Sequence, residues 1–160
     1  MKVAVTGHRP NKLGGYELTP LRLKISQKIY SILEKLKVDV AYTGMALGID
    51  QDFARVCKML NIPYIACVPC DDQDRMWPLG SKDLYSHLLS SASEIIVVTP
   101  GRYKPWVMQK RNEYMVNQLN DKDDFLLAVW DGSSGGTANC VKYAEKLKKT
   151  IVRIDPKDYL

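Results

Sequence analysis

The sequence contains no apolar run approaching the roughly 20 residues needed to cross a bilayer, which argues against an integral membrane protein. Histidine is scarce, with 2 in 160 residues, and there are 4 cysteines. Cys67 and Cys70 form a CxxC, but in "IACVPCDD" they follow a strand. Redox pairs of this spacing open a helix, whose N-terminus lowers the thiol pKa. A zinc site would need a second ligand pair, and His8 and His87 are not spaced as one. Cys57, Cys67, Cys70 and Cys140 are therefore expected to be reduced and structural, and no metal or cofactor is expected. Internal repeats, low-complexity tracts and linkers are also missing, so residues 1–160 read as one domain. "MKVAVTGHRP" has one Lys and a short strand-like run, too short for a signal peptide, which leads to the expectation of a cytoplasmic protein.

Charge is not strongly one-sided. The formal net charge is +5, with Lys and Arg scattered and a local excess in "KYAEKLKK". That excess reads as the solvated face of a helix before it reads as a nucleic-acid patch. A mildly basic balance suits an anionic small ligand equally well.

Short β-branched runs alternate with longer segments of helical periodicity. The strand candidates are "KVAVT" (2–6), "VDVAYT" (38–43), "IPYIACV" (62–68), "EIIVVT" (94–99), "DFLLAVW" (124–130) and "TIVRI" (150–154). Helical spacing runs through 21–36, 49–60 and 138–149, and through "WVMQKRNEYMVNQL". Continuously apolar strands separated by helices predict a mostly parallel sheet of about six strands covered on both faces. This is a Rossmann-like, doubly wound α/β domain.

In such sheets ligands bind beyond the carboxyl ends of the strands. The segments leaving those ends read "TGHRPNKLGG", "TGMALGID", "PCDDQDRMW", "TPGRYKPW" and "DGSSGGTAN". They are polar, Gly-rich and aromatic, whereas the opposite ends carry plain links such as "LKVD" and "LNIP". In "DGSSGGT", Gly132, Gly135 and Gly136 free the backbone N–H groups to approach phosphate, and Ser133, Ser134 and Thr137 add hydroxyls beside Asp131. The same segment also reads as an ordinary loop with a hydroxyl cap, and it is neither a P-loop nor a dinucleotide fingerprint.

"TGMALGID" is a second such turn, with Gly44, Met45 and Gly48 leading to Asp50. Asp50 either caps the following helix or accepts hydrogen bonds from a ribose. Thr6, Gly7, His8 and Arg9 end the first strand, and Arg9 beside two glycine turns is placed to meet an anion. Met108, Arg111 and Met115 fall on one helical face. Arg111 either lays its stem along that face or acts as a phosphate clamp with Asn112 as a neighbouring donor. Trp77, Tyr85 and Tyr103 are either core and rim residues or stack on a base.

"TGHRP", "TGMALGID", "DDQDRMW", "RNEYMV" and "AVWDGSSGGT" occur in this order over almost the whole chain. The chain thereby resembles the YpsA-like branch of the SLOG superfamily, which is related to the LOG phosphoribohydrolases and to the Rossmann-like domain of DprA. The resemblance implies a Rossmann-like fold binding nucleotides or related molecules at the strand ends, in a family also found in phages and prokaryotic conflict systems. LOG enzymes carry an Arg-Lys helix and a "PGGxGTxxE" loop whose Glu assists cleavage of an N-glycosidic bond. Arg111 matches the Arg, Asn112 replaces the Lys, and Gly136 and Thr137 match the loop, but Cys140 stands at the Glu position. A thiol does not replace a carboxylate that stabilises an oxocarbenium-like centre. Glu113 and Asp131 are the candidate substitutes, with Asp50 a third.

The leading expectation is thus a binding protein for a nucleotide-derived small molecule, ADP-ribose-like or cyclic, acting as a sensor or as a phage-type sponge for an immune signal. A hydrolase of an N-glycosidic or phosphodiester bond is the second reading. Single-stranded DNA binding in the manner of DprA is the third, set against by the modest charge. The LOG analogy implies a homo-oligomer.

Overall fold

A computed structural model describes all residues from Met1 to Leu160. The strands are β1 (Lys2–Gly7), β2 (Val40–Thr43), β3 (Tyr64–Val68), β4 (Glu94–Val97), β5 (Phe125–Val129) and β6 (Thr150–Ile154). The helices are α1 (Pro20–Leu36), α2 (Ile49–Met59), α3 (Leu79–Ser90), α4 (Val107–Asn117) and α5 (Gly136–Lys146). The six strands form one sheet in the order β4-β3-β2-β1-β5-β6, and every pairing is parallel. This is the doubly wound α/β architecture that the alternation predicts. The observed strands β2 to β5 are shorter than the apolar runs, because residues such as Val38 and Ile62 pack in the core from the turns before the strands.

β1 alternates its side chains between two cores. Val3 and Val5 join a cluster of 24 buried residues with Ile25, Ile29 and Leu33 of α1 and Phe53 of α2. Ala4 joins a smaller cluster with Met115 and Leu119 near α4, and Cys140 and Ala144 of α5. Helices therefore bury an apolar face on each side of the sheet. Thr19 starts α1 by accepting a hydrogen bond from Arg22 N at 3.2 Å, with Pro20 at the first helical position.

The winding reverses at β1. From β1 the chain steps outward through β2 and β3 to β4, then returns through α4 to β5 on the other side of β1. Gly7 of β1 pairs with Val129 of β5, so the two strands end side by side and their loops diverge onto opposite faces. That reversal opens a crevice at the carboxyl ends of the two strands.

Candidate functional site

A cavity of about 270 Å³ fills this crevice. Its first wall comes from Thr6, Gly7, His8 and Arg9, continued by Asn11 and Lys12. Asp50 of α2 and Arg111 and Asn112 of α4 form its inner side, with Met108 at one edge. Ser133 to Ala138, the loop after β5 and the first turn of α5, complete it. Segments from four places in the sequence thus meet at one rim.

The start of α5 supplies unpaired donors. No side chain caps it, and the first bond of its ladder runs from Asn139 N to Gly135 O at 3.0 Å. The N–H groups of Gly136, Thr137 and Ala138 precede that bond, so they lack intrahelical acceptors and carry the positive end of the helix dipole. Lys12 Nζ is hydrogen-bonded to Ser133 Oγ, and the exposed Arg9 stands across the cavity. Asp131 anchors the loop by accepting from Ser133 N at 2.9 Å and from its hydroxyl. Those two bonds hold its carboxyl well below the usual range.

His8 is 6% exposed, and its Nε2 lies 3.0 Å from both the main-chain N and the Oδ1 of Asp131. Unprotonated, it accepts from the main-chain N–H; protonated, it donates to the carboxylate. Burial pushes its pKa below the ordinary value, outweighing the pull of Asp131.

On the inner side, Arg111 is 2% exposed. Its Nη1 donates to Gly44 O at 2.6 Å and Cys67 O at 3.3 Å, and its Nε donates to Asn112 Oδ1 at 2.9 Å. Only Nη2 keeps its donors free of protein acceptors. Arg111 therefore fastens α4 to the ends of β2 and β3 while presenting part of one guanidinium edge to the cavity. Gly44 permits this approach, since a Cβ there would lie 2.1 Å from Arg111 Nη1.

Asp50 is 6% exposed and accepts from Ala46 N at 3.2 Å. Desolvation pushes its pKa up against the opposing pull of Arg111 and Arg9. Gly48, the residue before α2, has φ +93°, and a Cβ there would meet His8 O at 2.5 Å. The second turn can therefore close on the first only with glycine at that position.

Several residues expected at the site stand elsewhere. Met45 and Met115 are in the core, 0% and 1% exposed, because their apolar side chains complete the packing on opposite faces of the sheet. Gly44 and Gly48 shape the cavity through backbone geometry and do not line it. Asp131 and Gly132 belong to the supporting loop, and Trp77 lines a neighbouring compartment. Glu113 is turned to Gln109, whose Nε2 donates to it at 3.2 Å, and lies outside the cavity. Cys140 is fully buried, its thiol pushed up to about 12 by desolvation. All four cysteines are free and buried.

Asn11, Lys12 and Ala138 lie within the strand-exit segments of the sequence but were not singled out there as site residues. The sequence reading also missed the bidentate pair of Arg22 with Asp52, at 2.7 and 2.9 Å. Arg22 Nη1 holds the carbonyls of Gly15, Tyr16 and Glu17 as well, pinning the long loop that follows the cavity's first wall. No group of three or more His, Cys, Asp or Glu side chains gathers to hold a metal ion. No helix is long and apolar enough to cross a membrane.

A parallel sheet with its winding reversal beside a glycine turn, helix donors and cationic side chains defines a Rossmann-like domain with a polar crevice at the strand ends. Residues 3–159 match the YspA SLOG family, and the chain belongs to it. It is 36% identical to the uncharacterized SPbeta prophage-derived protein YoqJ of Bacillus subtilis, over 79% of this chain and 84% of that protein. Among solved structures, DNA processing protein A (DprA) from Streptococcus pneumoniae is similar with a TM-score of 0.68 and 17% identity, covering 96% of this chain. The chain spans half of that protein. DprA from Helicobacter pylori gives a TM-score of 0.63 and 18% identity, over 97% of this chain and 65% of that one. These two likenesses are relations of fold.

Proposed function

We propose that the crevice binds the phosphate and ribose of a nucleotide-derived small molecule, of the ADP-ribose or cyclic nucleotide kind. The observation carrying this reading is the uncapped start of α5, whose free N–H groups line the same cavity as Arg9 and Lys12. Asp50 complements them as an acceptor for ribose hydroxyls. Such a protein senses a signal or withholds it, and the prophage origin of YoqJ supports the second role. Its ligand is one found in the cytoplasm, the host's if the gene is viral. Two copies pair through their helices on the LOG analogy, which light scattering on the purified chain tests. Titration calorimetry with ADP-ribose, cyclic nucleotides and mononucleotides tests the binding. A flat response to all of them overturns it.

Hydrolysis of the ligand is the second reading, favoured by Asp50. A buried carboxyl held above its ordinary pKa is the state a general acid requires. A binder returns its ligand intact after denaturation, whereas an enzyme returns separated products on chromatography. Asp50→Asn then abolishes turnover if this carboxyl carries it.

Single-stranded DNA is the third ligand to test, because the Helicobacter pylori DprA has a single-stranded DNA binding mode and shares the fold. A gel shift at low and moderate salt distinguishes it, since contacts along a strand weaken steeply with added salt.

A further inference from the structure

A second compartment of about 520 Å³ adjoins the polar cavity and shares Arg9 and Met108 with it. We infer that it receives a flat aromatic ring, a nucleobase, attached to the phosphate and ribose held next door. The inference rests on the proposed function and divides that ligand between two chambers.

The lining differs in kind from that of the polar cavity. Trp77, Tyr103 and Met76 supply aromatic and thioether surface, and Arg75 and Asp72 add one charge of each sign. Met76 is 85% exposed and Tyr103 56%, so both offer apolar surface beside the polar crevice. Planar heterocycles stack on such rings whatever their edge pattern, and guanidinium groups add cation–π attraction.

The compartment is also built in advance. Trp77 packs edge-on against buried Tyr85, with ring centroids 5.0 Å apart and an interplanar angle of 72°. The loops after β3 and β4 that carry Trp77 and Tyr103 are tied together. Asp71 N donates to Gly101 O at 2.9 Å, Gly101 N to Asp71 Oδ2 at 2.8 Å, and Tyr103 N to Asp72 Oδ1 at 2.7 Å. Gln73 Nε2 reaches Gly44 O and Tyr85 Oη at 3.3 Å each, joining this wall to the loop that Arg111 grips. Its Oε1 is left buried with no partner, an acceptor at the wall that an entering amino group can satisfy after a small shift. Preformed walls lower the ordering cost of binding.

Arg9 stands where the two chambers join and is exposed. It can therefore meet a phosphate lying between the ribose and the base-bearing half, or the outer phosphate of a diphosphate. This selects ligands that extend beyond a sugar phosphate.

Titration calorimetry of the full chain with ribose 5-phosphate, AMP and ADP-ribose decides the matter. AMP and ADP-ribose are expected to bind about tenfold or more tightly than ribose 5-phosphate, the scale of one stacked base. Trp77→Ala and Tyr103→Ala are each expected to narrow that gap. Tyr103 is largely exposed, so its truncation leaves the core intact and gives an answer even if loss of Trp77 disturbs folding. Equal affinities for AMP and ribose 5-phosphate overturn the inference, as does an AMP advantage that survives both substitutions. No binding by any of the three overturns the inference, and a flat response to cyclic nucleotides as well overturns the proposed function itself.

Discussion

The main-chain N–H of Asp131 donates to Nε2 of His8 at 3.0 Å, tying the loop after β5 to the loop after β1 across 123 positions of sequence. This bond joins two loops that leave neighbouring strands at the winding reversal. It requires a ring nitrogen without a proton, and the burial of His8 favours that state.

Stability should therefore fall on mild acidification. The folded pKa of His8 lies below its ordinary 6.5, so the unfolded chain binds the proton more readily. The contribution is fully present above pH 6.5 and is lost as pH drops from there through the folded pKa. Thermal melts between pH 7.5 and 5.5 should show this decline, and His8→Gln should flatten it. An unchanged slope in the variant assigns the decline to other groups.

Gly44 and Arg111 occupy one space and should show strong non-additivity. Gly44→Ala places a methyl on the guanidinium and should cost about 1–3 kcal/mol. Arg111→Ala, which removes one hydrogen bond from each of two buried carbonyls, should cost about 3 kcal/mol. Removing the Arg side chain makes room for the methyl, so the double variant should fall short of the sum by about 1 kcal/mol or more. Urea denaturation of the four proteins measures the coupling.

The pair of Arg22 with Asp52 is the one ion pair with both partners buried, each residue at 4% exposure or less. Asp52→Ala leaves a buried guanidinium without its counter-ion and should cost about 3–5 kcal/mol. Arg22 also holds three loop carbonyls, so Arg22→Met should additionally loosen residues 13–19. Hydrogen exchange of those amides is the readout. Protection equal to the wild type would show that the loop holds itself.

Gly136 offers a clean test of the anion site. A Cβ there meets nothing within 4 Å, and its φ lies outside the positive range, so Gly136→Asp should fold normally. The new carboxylate occupies the donor end of α5 and competes with phosphate. Nucleotide affinity should fall about tenfold or more on this argument, with the melting temperature nearly unchanged. Undiminished binding would place the phosphate elsewhere.

Much of the fold was legible in the sequence. The alternation of apolar strands with helical periodicity predicts the parallel sheet, and the polar, Gly-rich strand exits predict where the crevice lies. Thr6 to Arg9, Asp50, Arg111, Asn112 and Ser133 to Thr137 do converge on one cavity. Asn11 and Lys12 went unread because they lie in a short turn with no periodicity to show which way it faces.

The sequence by itself determined the kind of sheet and the chemistry available at its rim, because periodicity and glycine-rich turns are local properties of the chain. Only the tertiary structure decided the strand order, the separation of polar and aromatic chambers, and the use of each side chain. Met45 and Met115 went into the core, and Arg111 gave its Nη1 donors to two strand ends. Those outcomes depend on which distant elements pack against a residue, and on whether buried carbonyls elsewhere need its hydrogen bonds more than the cavity does.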